Sequence, residues 1–477
     1  MNILDAIQDR NLLGGAFKDL STWRPWVVFL KALFGLEIQD SEDLKLLRDC
    51  TELAMPPNER VRECSAICGR RSGKSFISAV IAVFLACFKD WKPYLSPGER
   101  GWVFIVAVDK AQAGIIRRYI GGFLQGSPVL RRMVEKETVE SIDLKNGVSI
   151  SVKTCSFRSL RGYTVLCAIL EEVAFWRSED SANPDREVLA ALRPALATIP
   201  ESLILSIGTP YARRGILYDS YKQNFGHEGR SFIWKAPSAV MNPTLDQDII
   251  KAALAEDPQA AGAEWLCEWR ADIESFLAFE SLQACVVPDR FELPPVGRVE
   301  YTAFIDPSFG GQDSFTLAIA HSEMEGRVKI LDTVRERKPG FKPDEVVAEF
   351  AQIMLAYRCL EVTSDRFSRE WVRNAFEARG IRVKFSDRSS SELYLDLLPL
   401  VTSRAVELLD NRALIGQLAN LDRRVRSGGR DLVVHFPGRH DDVAVAAAGA
   451  LTLAGAQRGA TVTAYQGIYD AEKKRWY

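Results

Sequence analysis

One short segment limits the possible folds of this chain more than any other. Residues 68–75 have the sequence Cys-Gly-Arg-Arg-Ser-Gly-Lys-Ser and lie between an apolar run and an apolar segment with helical spacing. A strand, a glycine-containing turn and a helix in this order are typical of a phosphate-binding loop, in which backbone N–H groups and a helix start surround a phosphate. A basic turn that only caps a helix is the simpler alternative, but it does not explain why all three features coincide.

The chemistry of such a loop assigns roles to its residues. Lys74 would reach the β- and γ-phosphates of a nucleotide, and the hydroxyl of Ser75 would bind Mg²⁺. Cys68 stands where the usual pattern has its first glycine. The predicted nucleotide-binding residues of this segment are Gly69, Arg70, Arg71, Ser72, Gly73, Lys74 and Ser75.

Two later apolar runs end in residues that suit nucleotide hydrolysis. Residues 165–170 are followed by Glu171 and Glu172, and we predict that Glu171 contacts Mg²⁺ while Glu172 activates water. Without a phosphate loop earlier in the chain, such a run would often be just a strand that meets a solvated loop. The run at 203–207 is accompanied by Ser206 and Thr209, which suit a γ-phosphate sensor; an ordinary turn is the alternative for these two residues.

The order of the apolar runs predicts an α/β fold. Strands predicted at 62–67, 102–108, 148–154, 165–170 and 203–207 are spaced by helical segments that include 75–88 and 110–124. This alternation favours a mostly parallel sheet that is covered by helices. Residues 276–298 break the helical spacing and contain Pro288, Pro294 and Pro295, which indicates a linker between domains at 1–275 and 299–477.

After the linker the order changes to three strands followed by strand–helix units. The predicted strands are 301–305, 315–321, 328–333, 360–363 and 381–385, with helices at 343–357 and 368–379. Asp306 and Asp365 follow two of these strands, Asp441 and Asp442 begin an apolar helix, and Asp313 is a candidate for an additional ligand. Acids from three separate elements can converge on two Mg²⁺ or Mn²⁺ ions that act on a phosphodiester. Taken singly, each acid would more often be a helix cap or a turn residue.

A basic cluster precedes the last of these acids. Arg423, Arg424, Arg426 and Arg430 surround a Gly-Gly pair, whereas the whole chain has a net charge of −2. Because no global field attracts nucleic acid, DNA binding requires a local patch of this kind. We predict that these arginines contact DNA phosphates and not base edges. A solvated charged surface is the simpler alternative.

Composition excludes several other classes of protein. Nine cysteines occur without a CxxC pair, and there are only four histidines, which argues against a disulfide framework and a zinc site. No run reaches the ~18 to 20 apolar residues of a membrane span. The first ten residues, MNILDAIQDR, lack the basic and apolar regions of a signal peptide. We therefore expect a protein of the reducing cytoplasm that does not contact membranes.

Together these motifs resemble the large terminase subunit of tailed bacteriophages and of related prophages or gene-transfer agents. The likeness covers nearly the whole chain, with secondary matches at 159–162, 363–365 and 438–442. It implies a phosphate-loop ATPase motor domain of the ASCE type over 1–275, a linker over 276–298, and an RNase H-like nuclease domain with a C-terminal tail over 299–477.

The resemblance also assigns roles to single residues. Arg161 matches an arginine that reaches into the ATP site of a neighbouring subunit, and Arg70 or Arg71 is the rival candidate within the same subunit. The sequence does not choose between them. Cys68 and Glu171 replace the commoner Gly and Asp, and Val445 stands where many relatives have another Asp. The catalytic and nuclease metal-binding positions that match the family are Glu172, Asp306, Asp365 and Asp442, with Asp441 and Asp313 as additional candidates.

For such a protein the resemblance implies ATP with Mg²⁺ at one site and Mg²⁺ or Mn²⁺, as two ions, at the other. The implied partners are double-stranded DNA, a portal protein, a small terminase subunit and further copies of the chain in a ring, usually a pentamer; a monomer in solution is the alternative. ATP hydrolysis would drive DNA into a procapsid, and the nuclease would cut concatemeric DNA. The implied location is the cytoplasm of the bacterial host, with transient binding at the portal vertex.

Two other functions remain open from the sequence. A helicase or DNA-repair translocase with a fused nuclease would share the phosphate loop, but it needs a second ATPase lobe, for which residues 213–275 are too short. A non-enzymatic adaptor with a decayed ATPase fold is argued against by the presence of Lys74, Ser75 and Glu172.

Overall fold

The computed structural model describes residues 1–108, 110–155, 160–176, 184–297, 299–308, 313–365, 369–424, 431–435, 440–455, 469–470 and 475–476. The chain divides into two compact units. Unit 1 contains Met1–Phe276 together with Asp422–Leu432, and unit 2 contains Leu277–Leu421 together with Val433–Tyr477. Among the described residues, no helix is long and apolar enough to cross a membrane.

Unit 1 alternates helices and strands along most of its length. Its helices are α1 (Ile3–Gln8), α2 (Arg24–Leu33), α3 (Ser41–Thr51), α4 (Lys74–Cys87), α5 (Lys110–Gly126), α6 (Pro128–Met133), α7 (Pro184–Ala195), α8 (Gly215–Asn224), α9 (Ser238–Met241), α10 (Gln247–Glu256) and α11 (Pro258–Leu266). Its strands are β1 (Glu63–Cys68), β2 (Gly101–Ala107), β3 (Val134–Glu137), β4 (Ser141–Leu144), β5 (Val148–Thr154), β6 (Thr164–Glu171), β7 (Leu203–Gly208), β8 (Phe232–Ala236) and β9 (Ile273–Ser275).

The main sheet of unit 1 has eight strands in the order β3-β4-β5-β2-β6-β7-β1-β8. The six strands from β5 to β8 in this order run parallel, and β3 and β4 add an antiparallel edge. β7 lies between β1, which leads into the phosphate loop, and β6, which ends in the two glutamates. This inserted strand is the arrangement of the ASCE type. The predicted α/β fold class is confirmed, and the five predicted strands are present with ends shifted by at most one residue.

Burial explains why α4 forms directly after the phosphate loop. Every residue from Ile77 to Ala86 is buried, so this helix is apolar on all sides and lies inside the domain core. Large side chains such as Trp26, Phe29 and Phe84 belong to the same cluster. The glycine turn and its helix are therefore fixed by packing as well as by local sequence.

Unit 2 follows the predicted order of elements. Its helices are α12 (Phe279–Gln283), α13 (Pro343–Ala356), α14 (Arg369–Glu377), α15 (Ser390–Thr402), α16 (Arg412–Ala419) and α17 (Asp442–Leu453). Its strands are β10 (Tyr301–Asp306), β11 (Phe315–Glu323), β12 (Val328–Arg337), β13 (Glu361–Ser364), β14 (Arg382–Phe385) and β15 (Val406–Glu407). The remaining strands of the chain are β16 (Asp422–Arg424), β17 (Leu432–Val434), β18 (Tyr469–Asp470) and β19 (Arg475–Trp476).

The sheet of unit 2 has the order β14-β13-β10-β11-β12-β15. β10, β11 and β12 form an antiparallel meander, and β13 and β14 run parallel to β10 on its other side. This order fits the predicted RNase H-like fold, with β15 as an extra edge strand. α17 approaches β10 so closely that a Cβ on Gly449 would lie 2.6 Å from Cε2 of Phe304. The small residues of α17 thus place its first turn, Asp442 included, beside the sheet.

A short three-stranded sheet with the order β17-β16-β9 differs from the sequence prediction, and its strands β9 and β16 form what we call the β9–β16 ribbon. β16 pairs antiparallel with β9, with Asp422 opposite Ser275 and Arg424 opposite Ile273. Residues Asp422–Leu432 therefore group with unit 1, whereas the sequence analysis placed them within the domain at 299–477. The pairing joins segments that are almost 150 residues apart, and no local pattern indicates such a pairing.

Candidate active sites

The phosphate loop is held by contacts from outside it. Trp26 Nε1 donates a hydrogen bond to the carbonyl of Ser72 over 2.6 Å, and Asn242 Nδ2 donates to the carbonyl of Arg71 over 2.9 Å. In a trans peptide the C=O and the next N–H point in opposite directions. The N–H groups of Ser72 and Gly73 are therefore turned away from these two side chains.

Glycine is required at two positions of this loop. Gly73 has φ +91°, and a Cβ there would lie 2.7 Å from Cζ3 of Trp23. A Cβ on Gly69 would lie 2.8 Å from the backbone nitrogen of Ser238. Cys68, in contrast, is the last residue of β1 and is fully buried. The close approach that demands a glycine falls on residue 69, so a cysteine at position 68 fits this loop.

Lys74 connects the loop to β7. Its Nζ donates to the carbonyls of Cys68 and Gly69, each over 2.9 Å, and to Oγ1 of Thr209 over 3.0 Å. It also lies 3.7 Å from Oε1 of Glu172. Thr209 is buried just beyond the end of β7. The ammonium group predicted to bind phosphate thus lies among the residues predicted to sense and hydrolyse it.

Glu171 and Ser75 meet as the nucleotide-site prediction requires. Ser75 Oγ donates to Oε1 of Glu171 over 2.7 Å, and the second oxygen of Glu171 is buried without a hydrogen-bond partner among the described residues. Burial, helped by the nearby charge of Glu172, raises the pKa of Glu171 to about 7, although Ser75 and Lys74 act to lower it. A hydroxyl beside a destabilised carboxylate is a donor set that fits Mg²⁺.

The backbone of Glu172 is strained, with φ +51° and ψ 44°. Its N–H donates to the carbonyl of Ile207, and its Oε2 accepts from the N–H of Thr209 over 2.9 Å. A Cβ on Gly208 would lie 3.0 Å from this carboxylate, which explains the glycine there. Left-handed geometry in a non-glycine residue costs roughly 1 to 3 kcal/mol and often marks a functional position. The strain turns the carboxylate of Glu172 towards Lys74 and Thr209.

The other predicted residues of the nucleotide site lie in different settings. Ser206 is buried within β7, opposite Leu170 and Ser65 on the two neighbouring strands. Arg70 pairs with Glu264 over 2.9 Å, although 60% of its side chain is exposed. Arg71 is exposed and has φ +60°. Arg161 is exposed on the connection that enters β6. The candidate arginines are therefore all at the surface, and Arg70 already has an acidic partner.

In unit 2, two of the predicted acids lie at the ends of neighbouring parallel strands. Asp306 ends β10, and Asp365 directly follows β13, where its N–H donates to the carbonyl of Ile305 over 3.2 Å. Burial raises the pKa of Asp306 well above its ordinary value, and the charges of Asp442, Asp365, Asp441 and Asp313 raise it further. These acids therefore lie near enough to repel one another.

The two acids at the start of α17 are both held by hydrogen bonds. Asp442 Oδ2 accepts from the N–H of Ser314 over 2.9 Å, and its carbonyl accepts from Thr316 Oγ1. Asp441 Oδ2 accepts from the buried hydroxyl of Tyr394 over 2.7 Å, and its side chain makes no capping bond to the helix. The N-cap interpretation of Asp441 therefore does not describe its side chain, which Tyr394 orients instead.

Sequence reasoning did not assign a role to His440. Its Nδ1 lies 3.1 Å from Oδ1 of Asp313, and ligand atoms of Asp313, His440 and Asp442 all lie within 4.8 Å of one another. Burial raises the pKa of Asp442 to about 6, with His440 nearby as a group that lowers it. One imidazole among several mutually repelling carboxylates fits a divalent cation. The only sequence signal for His440 was its position directly before Asp441 and Asp442.

The arginines predicted to bind DNA are only partly described. Arg426 and Arg430 lie outside the described residues. Arg423 forms an ion pair with Asp431, and Arg424 is half-buried on β16 with a buried Nε. Of the two described arginines, Arg423 thus already has an acidic partner and Arg424 is partly inside unit 1. The prediction that this segment contacts DNA phosphates stays a prediction.

Comparison with known proteins gives structural matches only. No protein-family model matches the sequence, and no curated protein matches it. The large terminase of bacteriophage HK97 is similar over 88% of this chain and 95% of its own, with 15% identity and a TM-score of 0.37. The ATPase domain of the Thermus phage P74-26 large terminase matches over 50% of this chain and 98% of its own, with 19% identity and a TM-score of 0.36. The large terminase nuclease from thermophilic phage G20c, with bound magnesium, matches over 38% and 96%, with 17% identity and a TM-score of 0.32. At these identities and scores, the matches record a similarity and nothing about what this chain binds or cuts.

Proposed function

We propose that this chain is a large terminase subunit, a DNA-packaging ATPase that also carries a metal-dependent endonuclease. The observation that carries the proposal is the presence of two separate charged sites in one chain. Unit 1 brings Lys74, Ser75, Glu171 and Glu172 together at one edge of a parallel sheet. Unit 2 brings acids from three elements together at the end of β10. The proposal assigns the ATPase motor to unit 1 and the nuclease to unit 2.

In unit 1 each residue has a task that its position allows. The N–H groups of the loop and the start of α4 would hold phosphate oxygens, and Lys74 would neutralise charge between the β- and γ-phosphates. Ser75 and Glu171 would hold Mg²⁺ directly or through water. Glu172 would orient and deprotonate the attacking water, because Thr209 and the strained backbone fix its carboxylate. Thr209, which contacts both Lys74 and Glu172, would respond to loss of the γ-phosphate.

In unit 2 the acids would form a binding site for divalent cations. Asp306, Asp365 and Asp442 are the proposed ligands, with Asp441, Asp313 and His440 as further candidates. When bound, two such ions would polarise a DNA phosphate and supply an activated water. Ser314 and Tyr394 fix the carboxylates of Asp442 and Asp441, so their oxygens keep a defined direction.

The proposed partners follow from this function. They are double-stranded DNA, a portal protein, a small terminase subunit and further copies of the chain in a ring. The proposed setting is the host cytoplasm and the portal vertex of a procapsid. A ring of chains on a portal would give such a motor a channel through which DNA passes. Binding to a purified portal ring, seen by electron microscopy, would support this arrangement, whereas binding to DNA alone would favour a translocase without a capsid.

The test separates the two chemistries in the full chain. Lys74→Ala should abolish ATP turnover and leave metal-dependent DNA cutting intact, and Asp365→Asn should do the reverse. Lys251→Ala and Asp396→Asn change exposed residues of the same types and serve as controls. ATP hydrolysis and cleavage of linear DNA in Mg²⁺ or Mn²⁺ are both measured. Loss of both activities in one well-folded site variant would contradict the two-site proposal.

A further inference from the structure

A group of charged side chains in unit 1 lies beyond the nucleotide site and has no role in the proposed reaction. It lies between the segment that follows β7 and the β9–β16 ribbon. We call it the ribbon cluster, and its members are Tyr211, Arg214, Arg270, Asp272, Asp422 and Arg424. Asp422 is only 1% exposed, Tyr211 is buried, and the other members are half-buried.

The ribbon cluster begins two residues after Thr209. The ring of Tyr211 lies 5.0 Å from the ring of Phe175, which belongs to the short 3₁₀ turn that follows Glu172. Thr209 itself bonds to both Lys74 and Glu172. A change at the γ-phosphate position would therefore act on Tyr211 from two sides, through the chain from Thr209 and through the ring of Phe175.

The cluster continues from Tyr211 to the ribbon. The N–H of Arg270 donates to the carbonyl of Tyr211 over 2.9 Å, and Arg270 forms a two-point ion pair with Asp272, the residue before β9. Arg214 forms an ion pair with Asp422, the first residue of β16. The segment that leaves the nucleotide site is thus attached to β16 by the ion pair of Arg214 and to the residues before β9 by the backbone hydrogen bond of Arg270.

The polar atoms of this cluster are incompletely paired. Nε and Nη1 of Arg214, Oδ2 of Asp422 and Nε of Arg424 are buried, and none has a hydrogen-bond partner among the described residues. Each unpaired buried polar group costs about 1 to 3 kcal/mol, more when it is charged. A core selected only for stability would avoid such a network or complete it. The unpaired atoms leave this cluster with hydrogen-bonding capacity that its present arrangement does not use.

We propose that Arg214 and Asp422 are positioning residues that transmit the state of the nucleotide site to the β9–β16 ribbon. The chain leaves unit 1 just after β9, which ends at Ser275, and enters it again at Asp422, the first residue of β16. Both strands of the ribbon are therefore next in sequence to unit 2. β16 also leads into the arginines at 423–430. The inference rests on the proposed ATPase function, and it adds that the ion pair makes DNA affinity depend on the bound nucleotide.

The test uses the full chain and two readouts. Amide hydrogen exchange of Ile273–Ser275 and Asp422–Arg424 is measured with and without ATPγS, and DNA affinity is measured in the same two states. The variant Asp422→Asn keeps the shape of the side chain and removes its charge. The control Asp219→Asn breaks the exposed ion pair between Arg186 and Asp219 on α8.

In the wild type and in the control, ATPγS should change exchange in the ribbon and shift the DNA dissociation constant by at least about 5-fold, the lower end of typical coupling between sites. In Asp422→Asn both effects should fall below about 2-fold, while ATPγS itself binds with unchanged affinity. A purely structural role would instead lower stability and leave the nucleotide dependence in place. Unchanged nucleotide dependence in a folded Asp422→Asn protein would overturn the proposal.

A second variant covers the case in which Asp422→Asn fails to fold. The double variant Arg214→Met with Asp422→Leu substitutes apolar groups for the ion pair, a change that buried pairs often tolerate without loss of stability. This double variant should fold and show no coupling; full coupling in it would overturn the proposal. If the wild type binds ATPγS but ribbon exchange does not respond, the inference fails and the ATPase proposal stands. If the wild type binds no nucleotide, the proposed function itself has failed.

Discussion

Glu171 is the residue at which burial and charge conflict most directly. Its carboxylate is buried at the end of β6, one oxygen accepts from Ser75, and burial raises its pKa to about 7. The folded protein therefore binds a proton on Glu171 more tightly than the unfolded chain does, for which the ordinary value is about 4.3. The site is prepared for a cation that restores the negative charge of this carboxylate.

This conflict predicts a pH dependence of stability. In chelator, the contribution of Glu171 to the free energy of unfolding should be complete below about pH 4.3 and should be lost as pH rises towards 7, with a slope of at most about 1.4 kcal/mol per pH unit. Glu171→Gln should remove this part of the slope. Urea unfolding of both proteins between pH 4.5 and pH 8 measures the difference. Parallel curves for the two proteins would show that Glu171 carries no shifted proton.

Asp306 leads to a prediction about metal removal. Burial and four neighbouring acids oppose its charge, so Asp306→Asn should raise the melting temperature of the metal-free protein at pH 8. The wild type should gain stability from Mg²⁺ or Mn²⁺, about 2.7 kcal/mol at one hundred times the dissociation constant, and the variant should gain little. Differential scanning calorimetry with chelator and with each ion tests this, with Asp396→Asn as the exposed control. An equal metal response in wild type and Asp306→Asn would remove Asp306 from the proposed ligands.

At the scale of elements, α17 determines where the nuclease acids lie. The helix can approach β10 only because position 449 is a glycine. Gly449→Ala should destabilise the protein by about 1 to 3 kcal/mol through overpacking against Phe304, despite the better helix propensity of alanine. It should also reduce DNA cutting, since Asp441 and Asp442 begin the same helix, and leave ATP hydrolysis intact.

The matched control for Gly449 lies in α5. A Cβ on Gly122 has nothing within 4 Å, so Gly122→Ala should stabilise the protein by about 0.5 to 1 kcal/mol. Denaturant unfolding compares the two variants. If Gly449→Ala is as stable as Gly122→Ala and cuts DNA normally, the close packing of α17 does not set the nuclease geometry.

The elements also show what the sequence can predict. Apolar runs are a local signal, and the carboxyl ends of neighbouring parallel strands meet at one edge, so the convergence of Ser75 with Glu171 and of Asp306 with Asp365 could be anticipated. The edge strands β3, β4 and β8 were missed because their periodicity is short or weak. The β9–β16 pairing was missed because it is non-local. The ion pair between Arg214 and Asp422, at the start of β16, was missed with it, and the predicted contacts of the basic segment with DNA phosphates stay a prediction.

At the scale of the whole molecule, Arg161 could serve the ATP site of a neighbouring subunit only when several copies of the chain assemble. A residue that serves a neighbouring copy needs to be at the surface, and Arg161 meets this condition. Arg70 also meets it but is paired with Glu264, which opposes a role within its own subunit unless that pair breaks. The two candidates make different predictions when wild-type and variant chains are mixed.

If Arg161 acts on a neighbour, Arg161→Ala should keep nucleotide binding and lose the ATPase activity that assembly stimulates, by a factor of about 10³ to 10⁵ where such arginines have been measured. In rings that mix both chains on a portal, the loss of ATP turnover should exceed the fraction of variant chains. Each variant chain inactivates the ATP site of its neighbour, and an inactive site also stops the sites that depend on it. If Arg70 instead serves its own subunit and the ATP sites act independently, Arg70→Ala should reduce ATP turnover in proportion to the fraction of variant chains. ATP turnover is measured across mixing ratios, with Arg230→Ala as an exposed control. A loss of only a few-fold in pure Arg161→Ala rings would transfer the role to Arg70 or Arg71.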